Sequence, residues 1–179
     1  MILVVSTCRF PLSEEEFVRP ILELVERAGH RYRVRRYYEE VEFEEYPKVI
    51  VCGTALRDLD YLNYVESFRR LVEYDGDVLG ICAGYQILAI VYGNSLSEVE
   101  KIGVRRVKVI KRNPLTIEGE FYAYFLHVYA LKEVNERLEA LALQDDEIAM
   151  FKVVGKDFYG VSFHPEVLNR EIVERFLLL

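Results

Sequence analysis

The chain is poor in the residues that mark several broad protein classes. Its three cysteines, Cys8, Cys52 and Cys82, are an odd number without metal-type spacing. That excludes a disulfide framework or a cysteine metal site and points to a reduced, cytoplasmic setting. No apolar run approaches the roughly 20 residues that cross a bilayer, so no membrane segment is expected. Met1 to Val5 lacks the basic start of a secretion signal and reads as a core strand. Lys and Arg (23) are outnumbered by Asp and Glu (30), and the net charge of −7 argues against a nucleic-acid partner. No glycine-rich loop ends in lysine and serine or threonine, so no ATP site and no cofactor is expected on this chain. Tryptophan is absent, and Gln86 and Gln144 are the only glutamines. With 30% charged residues, this composition suggests a thermophile.

What is present suffices for a core: 179 residues at 51% hydrophobic predict one domain over 1–179. Met1 to Ser6 is a continuous apolar run suited to a central parallel strand. Ser13 and Glu16 read as a capping box. Phe17, Ile21, Leu24, Val25 and Ala28 then share a helical face that Gly29 ends, with Pro20 delaying or kinking the helix. Strands at Tyr32–Tyr38 and Lys48–Cys52 and a helix over Leu59–Tyr74 follow, as alternating units with right-handed crossovers. Beyond Gly93 the pattern becomes β-rich and more antiparallel. It predicts strands at Val104–Ile110, Phe121–Leu126, Leu138–Leu143, Ile148–Val153 and Tyr159–Phe163, then a helix from about Glu171 capped by Asn169. The basic strand from Lys101 to Arg112 reads as a solvated sheet face, with docking to an acidic partner as the other reading.

The stretch with most chemical content is GICAGYQILA, Gly80 to Ala89. Asp77 to Ile81 reads as a buried strand and Gln86 to Tyr92 as a helix apolar nearly all round. Cys82 therefore falls on a sharp strand-to-helix turn, where Gly80 and Gly84 supply room and the helix N-terminus favours a thiolate. Far down the chain, in YGVSFHPEV (Tyr159 to Val167), His164 and Glu166 bracket Pro165. A cysteine, a histidine to take its proton and a carboxylate to orient that histidine make a nucleophilic triad.

These two segments, in this order and at this separation, resemble the class I (triad-type) glutamine amidotransferase domains, which carry a G-I-C-x-G-x-Q elbow and a closing F-H-P-E. The resemblance covers almost the whole chain. It implies a three-layer α/β fold of flavodoxin-like type, with a mostly parallel mixed sheet flanked by helices. It also implies hydrolysis of L-glutamine to glutamate and ammonia, the ammonia passing to a separate ATP-dependent synthetase chain. Two other readings stay open: a stand-alone γ-glutamyl hydrolase of the same fold, and a catalytically silent regulatory protein.

Acyl transfer needs an oxyanion hole, and at an elbow the first donor is the N–H after the nucleophile, Ala83. The second is expected from the turn after the third strand. There VIVCGTALRD keeps only Gly53 of the family's paired-glycine turn, with Cys52 and Thr54 where glycine and proline are common. That departure suggests a hole not fully formed in the isolated chain. The resemblance implies that Gln86 contacts the bound glutamine, that Tyr85 lines the same pocket and that the backbone of Val128 and Tyr129 meets the substrate. For His127, a satisfied half-buried side chain is the default reading. His30 reads as surface, and Cys8 and Cys52 as packing.

Overall fold

The computed structural model describes residues 1–179. Nine strands form one mixed sheet in the order β2-β1-β3-β4-β9-β8-β7-β5-β6. Five run parallel: β1 (Ile2–Ser6), β2 (Tyr32–Arg36), β3 (Lys48–Val51), β4 (Asp77–Ile81) and β9 (Phe158–Val161). The antiparallel remainder is β5 (Ser97–Val109), β6 (Glu120–Ala130), β7 (Leu138–Gln144) and β8 (Glu147–Val153). β9 inserts between β4 and β8, pairing Gly80 with Gly160 and Ile81 with Val161. The residues after β4 and after β9 thus emerge side by side at the carboxyl ends of parallel strands, where open α/β sheets bind ligands.

Both faces of the parallel half are covered, as its continuous apolar strands require. Ile2 and Val4 pack with Phe17, Ile21, Val173 and Phe176 in one core of 28 buried residues, while Leu3 and Val5 join Val65, Phe68, Leu71 and Leu88 in a second of 26. The near-equal division makes three layers.

Several local expectations change. The first helix is two: α1 (Pro11–Phe17) and α2 (Arg19–Arg27). Ser13 caps neither, because Pro11 starts α1 earlier, at a position where its missing N–H costs nothing. Pro20 falls in the first turn of α2, and Gly29 terminates it at φ 79°. The expected helix over Leu59–Tyr74 is a 3₁₀ helix, Asp60–Val72. Of its buried residues Tyr61, Val65, Phe68 and Leu71, the last three, continued by Tyr74, recur every third position, the period of that helix. Asn169 stands before α5 (Arg170–Leu178) without capping it; its side-chain amide donates to Tyr122 O at 3.0 Å instead. The β5–β6 hairpin is longer than expected, and β5 pairs in register with β7 only at Lys108 and Val109. Hence Val104 is half-exposed beside Arg105 and Arg106, and Val107 alone of that stretch is buried.

Candidate active site

β4 stops at Ile81 and α3 (Ala83–Val91) starts two residues later, which leaves Cys82 to make the whole turn at φ 48°, ψ −95°. A non-glycine residue held there stores on the order of 1–3 kcal/mol of strain. Close packing enforces the turn. A Cβ on Gly84 would lie 2.2 Å from Val51 O, and one on Gly80 would lie 2.6 Å from the Gly84 carbonyl. The sequence therefore drives α3 onto β3 and β4, and Cys82 bears the resulting backbone angle.

On the neighbouring strand the chain leaves β9 and is pinned by His164 N–H donating to Tyr124 O at 2.8 Å. Pro165 opens the short helix α4 (Pro165–Leu168), placing Glu166 in its first turn. His164 Nδ1 lies 2.7 Å from Glu166 Oε1, so Nδ1–H donates to the carboxylate and the other ring nitrogen is free to take a proton. That nitrogen, Nε2, is buried and makes no well-aligned hydrogen bond to the protein. One point, where a Cβ on Gly53 would stand, is 2.7 Å from His164 Cε1 and 3.1 Å from Cys82 Cβ; the two side chains converge on it. The Cys82 thiol donates to Leu126 O at 3.4 Å.

All three members are buried: Cys82 is 4% exposed, His164 0% and Glu166 2%. Burial alone would lower the His164 pKa. The negative charges of Glu166 and of an ionised Cys82 outweigh it and hold His164 well above the ordinary histidine range. By contrast burial pushes the Cys8 thiol up to about 11, and Cys52 well above its ordinary value, so neither competes as a nucleophile.

Gly53 N–H donates to no protein acceptor, and Ala83, as the first residue of α3, has an N–H that the helix leaves free. The Cys52–Thr54 turn is nevertheless well anchored. Thr54 Oγ1 donates to Asp58 Oδ2 at 2.7 Å, Arg9 N–H reaches the same oxygen at 2.8 Å, and Thr7 Oγ1 donates to Cys52 O at 2.9 Å. Thr54, at the position where the family commonly has proline, thus helps to hold the turn through its hydroxyl.

β6 crosses the site as a strap: Tyr124 O holds His164 N–H, Leu126 O accepts from Cys82, and Tyr129 O accepts from Gln86 Nε2 at 2.9 Å. Gln86 Oε1 accepts from Tyr61 OH, so both ends of its buried amide have a partner within the protein. Val128 is buried and Tyr129 half-buried on the same strap. Tyr85 is a correction. It is fully buried in the opposite core, its hydroxyl donating to Ile148 O at 2.6 Å and accepting Leu131 N–H at 3.1 Å. The α3 turn aims it at β8 rather than at the cysteine. His127 is buried in β6, outside the triad.

Sequence reasoning missed Tyr61, Asp58 and the β6 carbonyls. Backbone groups leave no residue signature, Asp58 ends the turn segment without a chemical signal of its own, and Tyr61 sits in a stretch that reads as a helix. No helix is long and apolar enough to cross a membrane.

Comparison with known proteins adds independent findings. The family described as glutamine amidotransferase class-I matches residues 13–177. A glutamine-hydrolysing GMP synthase subunit from Methanocaldococcus jannaschii is 38% identical over 99 residues, 52% of this chain and 53% of that protein. The chain thus spans about half the length of that relative. The corresponding protein of Methanosphaera stadtmanae is 30% identical over 149 residues, 78% of this chain and 77% of that one. Among solved structures, a Thermoplasma acidophilum protein superposes with a TM-score of 0.82 at 17% identity, covering 99% of this chain and 92% of the other. A glutamine amidotransferase from Thermotoga maritima gives 0.74 at 19%, covering 99% and 81%. At those identities the structures speak for the fold alone.

Proposed function

Because the chain belongs to the class I glutamine amidotransferase family, we propose that it hydrolyses L-glutamine with Cys82 as nucleophile, His164 as general base and acid, and Glu166 as the group that orients His164. The observation that carries this reading is the His164–Glu166 contact of 2.7 Å, whose free ring nitrogen is buried beside a cysteine on a strained elbow. His164 takes the Cys82 proton, and sulfur attacks the carboxamide carbon. The oxyanion is received by the N–H groups of Ala83 and Gly53. His164 then protonates the departing ammonia. Water, activated by His164, cleaves the γ-glutamyl thioester and restores the thiol.

Residues 1–179 act in this reading as one amidotransferase domain, supported by a single sheet that joins both halves of the triad. Gln86, with the backbone of Val128 and Tyr129, flanks the substrate. The ammonia goes to a separate ATP-dependent synthetase chain in the cytoplasm. The relatives named as GMP synthase subunits point to a synthetase of that type. Partner control is part of the proposal: with Cys82 at 4% exposure, glutamine enters only when the β6 strap or the 52–55 turn moves.

The test is ammonia and glutamate release from glutamine by the purified chain, alone and with the synthetase. Stoichiometric release that disappears in Cys82→Ala supports the proposal. Release of glutamate from γ-glutamyl peptides but not from glutamine would replace it with the hydrolase reading.

A further inference from the structure

Behind the strap lies a buried polar cluster that the triad chemistry does not use. His127 is 2% exposed and Glu147 is fully buried, although Glu147 follows two aspartates in a stretch that reads as a surface turn. His127 Nδ1 lies 3.0 Å from Ser162 O. A carbonyl oxygen only accepts, so Nδ1 carries a proton and donates. The other ring nitrogen lies 3.1 Å from Glu147 Oε1, near enough for ion pairing though off the N–H line. Glu147 is held from two further sides, by Lys101 Nζ at 2.6 Å and Ser162 Oγ at 3.3 Å. Lys101 also donates to Gln144 and stands over the Phe125 ring at 5.3 Å. Lys101 and His127 are directly opposed on β5 and β6, so the cluster ties β5, β6, β8 and the end of β9 together.

Ser162 is two residues before His164. Its carbonyl is held by the His127 ring, and the His164 N–H by Tyr124 O; both holds come from β6, which also receives the Cys82 thiol at Leu126 O. We propose that His127 is a positioning residue: by donating to Ser162 O from within the Glu147–Lys101 cluster, it fixes the bend that delivers His164 to Cys82. The inference rests on the triad reading above and adds a residue that meets neither substrate nor the reacting atoms. A plain core histidine could be exchanged for an apolar side chain of similar size at a cost in stability alone. A positioning histidine cannot, because a shift near 1 Å at the base costs up to about 10²-fold in rate.

Three variants separate these roles. His127→Leu removes the donor to Ser162 O. His127→Asn keeps an N–H near the Nδ1 position, and His127→Gln moves it out towards Glu147. Two rates are read for each: kcat for glutamine, and the pH profile of Cys82 alkylation by chloroacetamide, followed on the Cys82 peptide by mass spectrometry. Melting temperatures are taken beside both. We expect His127→Leu to lose about 10- to 100-fold in kcat and in neutral-pH alkylation, with KM changing less than about threefold. His127→Asn should recover most of that loss and His127→Gln little, whatever the order of melting temperatures. If His127→Leu does not fold, the Asn and Gln pair decides alone. Equal rates in those two, or losses that follow melting temperature only, would overturn the inference. The alkylation order is independent of turnover, so a wild-type chain that shows it while leaving glutamine intact would refute the proposed function and spare this assignment.

Discussion

Gly53→Ala adds one methyl group at the centre of the site. The new Cβ would stand 2.7 Å from His164 Cε1, 3.1 Å from Cys82 Cβ and 3.2 Å from His164 Nδ1. Carbon atoms rest at about 3.5–4.0 Å, so the imidazole must retreat by about 1 Å or the turn must back away with its N–H. Either movement separates base, nucleophile and oxyanion donor. A displacement of about 1 Å costs up to about 10²-fold, close to 2.7 kcal/mol of activation free energy. Gly53 is not in the left-handed backbone region, so alanine brings no conformational strain and the stability loss should stay within the ~1–3 kcal/mol of overpacking. The assay is kcat and KM by coupled ammonia detection, with a thermal melt on the same preparation. A folded Gly53→Ala protein with wild-type kcat would refute both the packing argument and the place of Gly53 in the oxyanion hole. Gly84→Ala is the control in the opposite sense. Its Cβ would meet Val51 O at 2.2 Å, main chain that cannot step aside, and folding rather than rate should fail.

Cys82→Ala should abolish glutamine hydrolysis, whereas Cys8→Ala should keep most of it, because the Cys8 thiol reaches the turn, at Gly53 O at 3.8 Å, and not the triad; equal loss in both would mean that folding was being measured. Glu166→Gln should lose on the order of 10³- to 10⁴-fold in kcat, less than Cys82→Ala, as a wrongly oriented base with its nucleophile intact. The raised His164 pKa has a definite sign: its ion pair stabilises the fold fully below the ordinary histidine pKa near 6.5 and is lost as pH rises through the raised value. Glu166→Gln should move the His164 transition downward in an NMR ring titration, and an unmoved transition would contradict the assignment of its cause. Added synthetase should raise the basal glutaminase rate of the isolated chain, measured by ammonia release, and full activity without it would reject partner control.

The elbow, the closing segment and their order were legible because each needs particular residue types at fixed spacing. The parallel strands declared themselves through uninterrupted runs such as Met1 to Ser6. Tertiary contacts decided the rest. A 3₁₀ helix and an α-helix differ by a fraction of a residue per turn, so Val65, Phe68 and Leu71 fit either until packing selects one. Tyr85 has the composition of a pocket residue, and only the rotation of α3 against β8 sends its hydroxyl to Ile148. Glu147 reads as a turn carboxylate, because its partners Lys101, His127 and Ser162 come from three other segments.

The insertion of β9 between β4 and β8 also fixes when a new molecule can first act. The elbow strand and its neighbours β1 to β3 can assemble while synthesis is still under way. The edge of β4 that β9 will occupy stays open until Phe158–Val161 have been made. Cys82 therefore exists for much of the chain's production without its base. Closing that gap joins segments far apart in sequence, the kind of contact that forms late and slowly. A nascent chain carries Cys82 before His164 and Glu166, so on the proposed function hydrolytic competence arrives only after the last strand has been made.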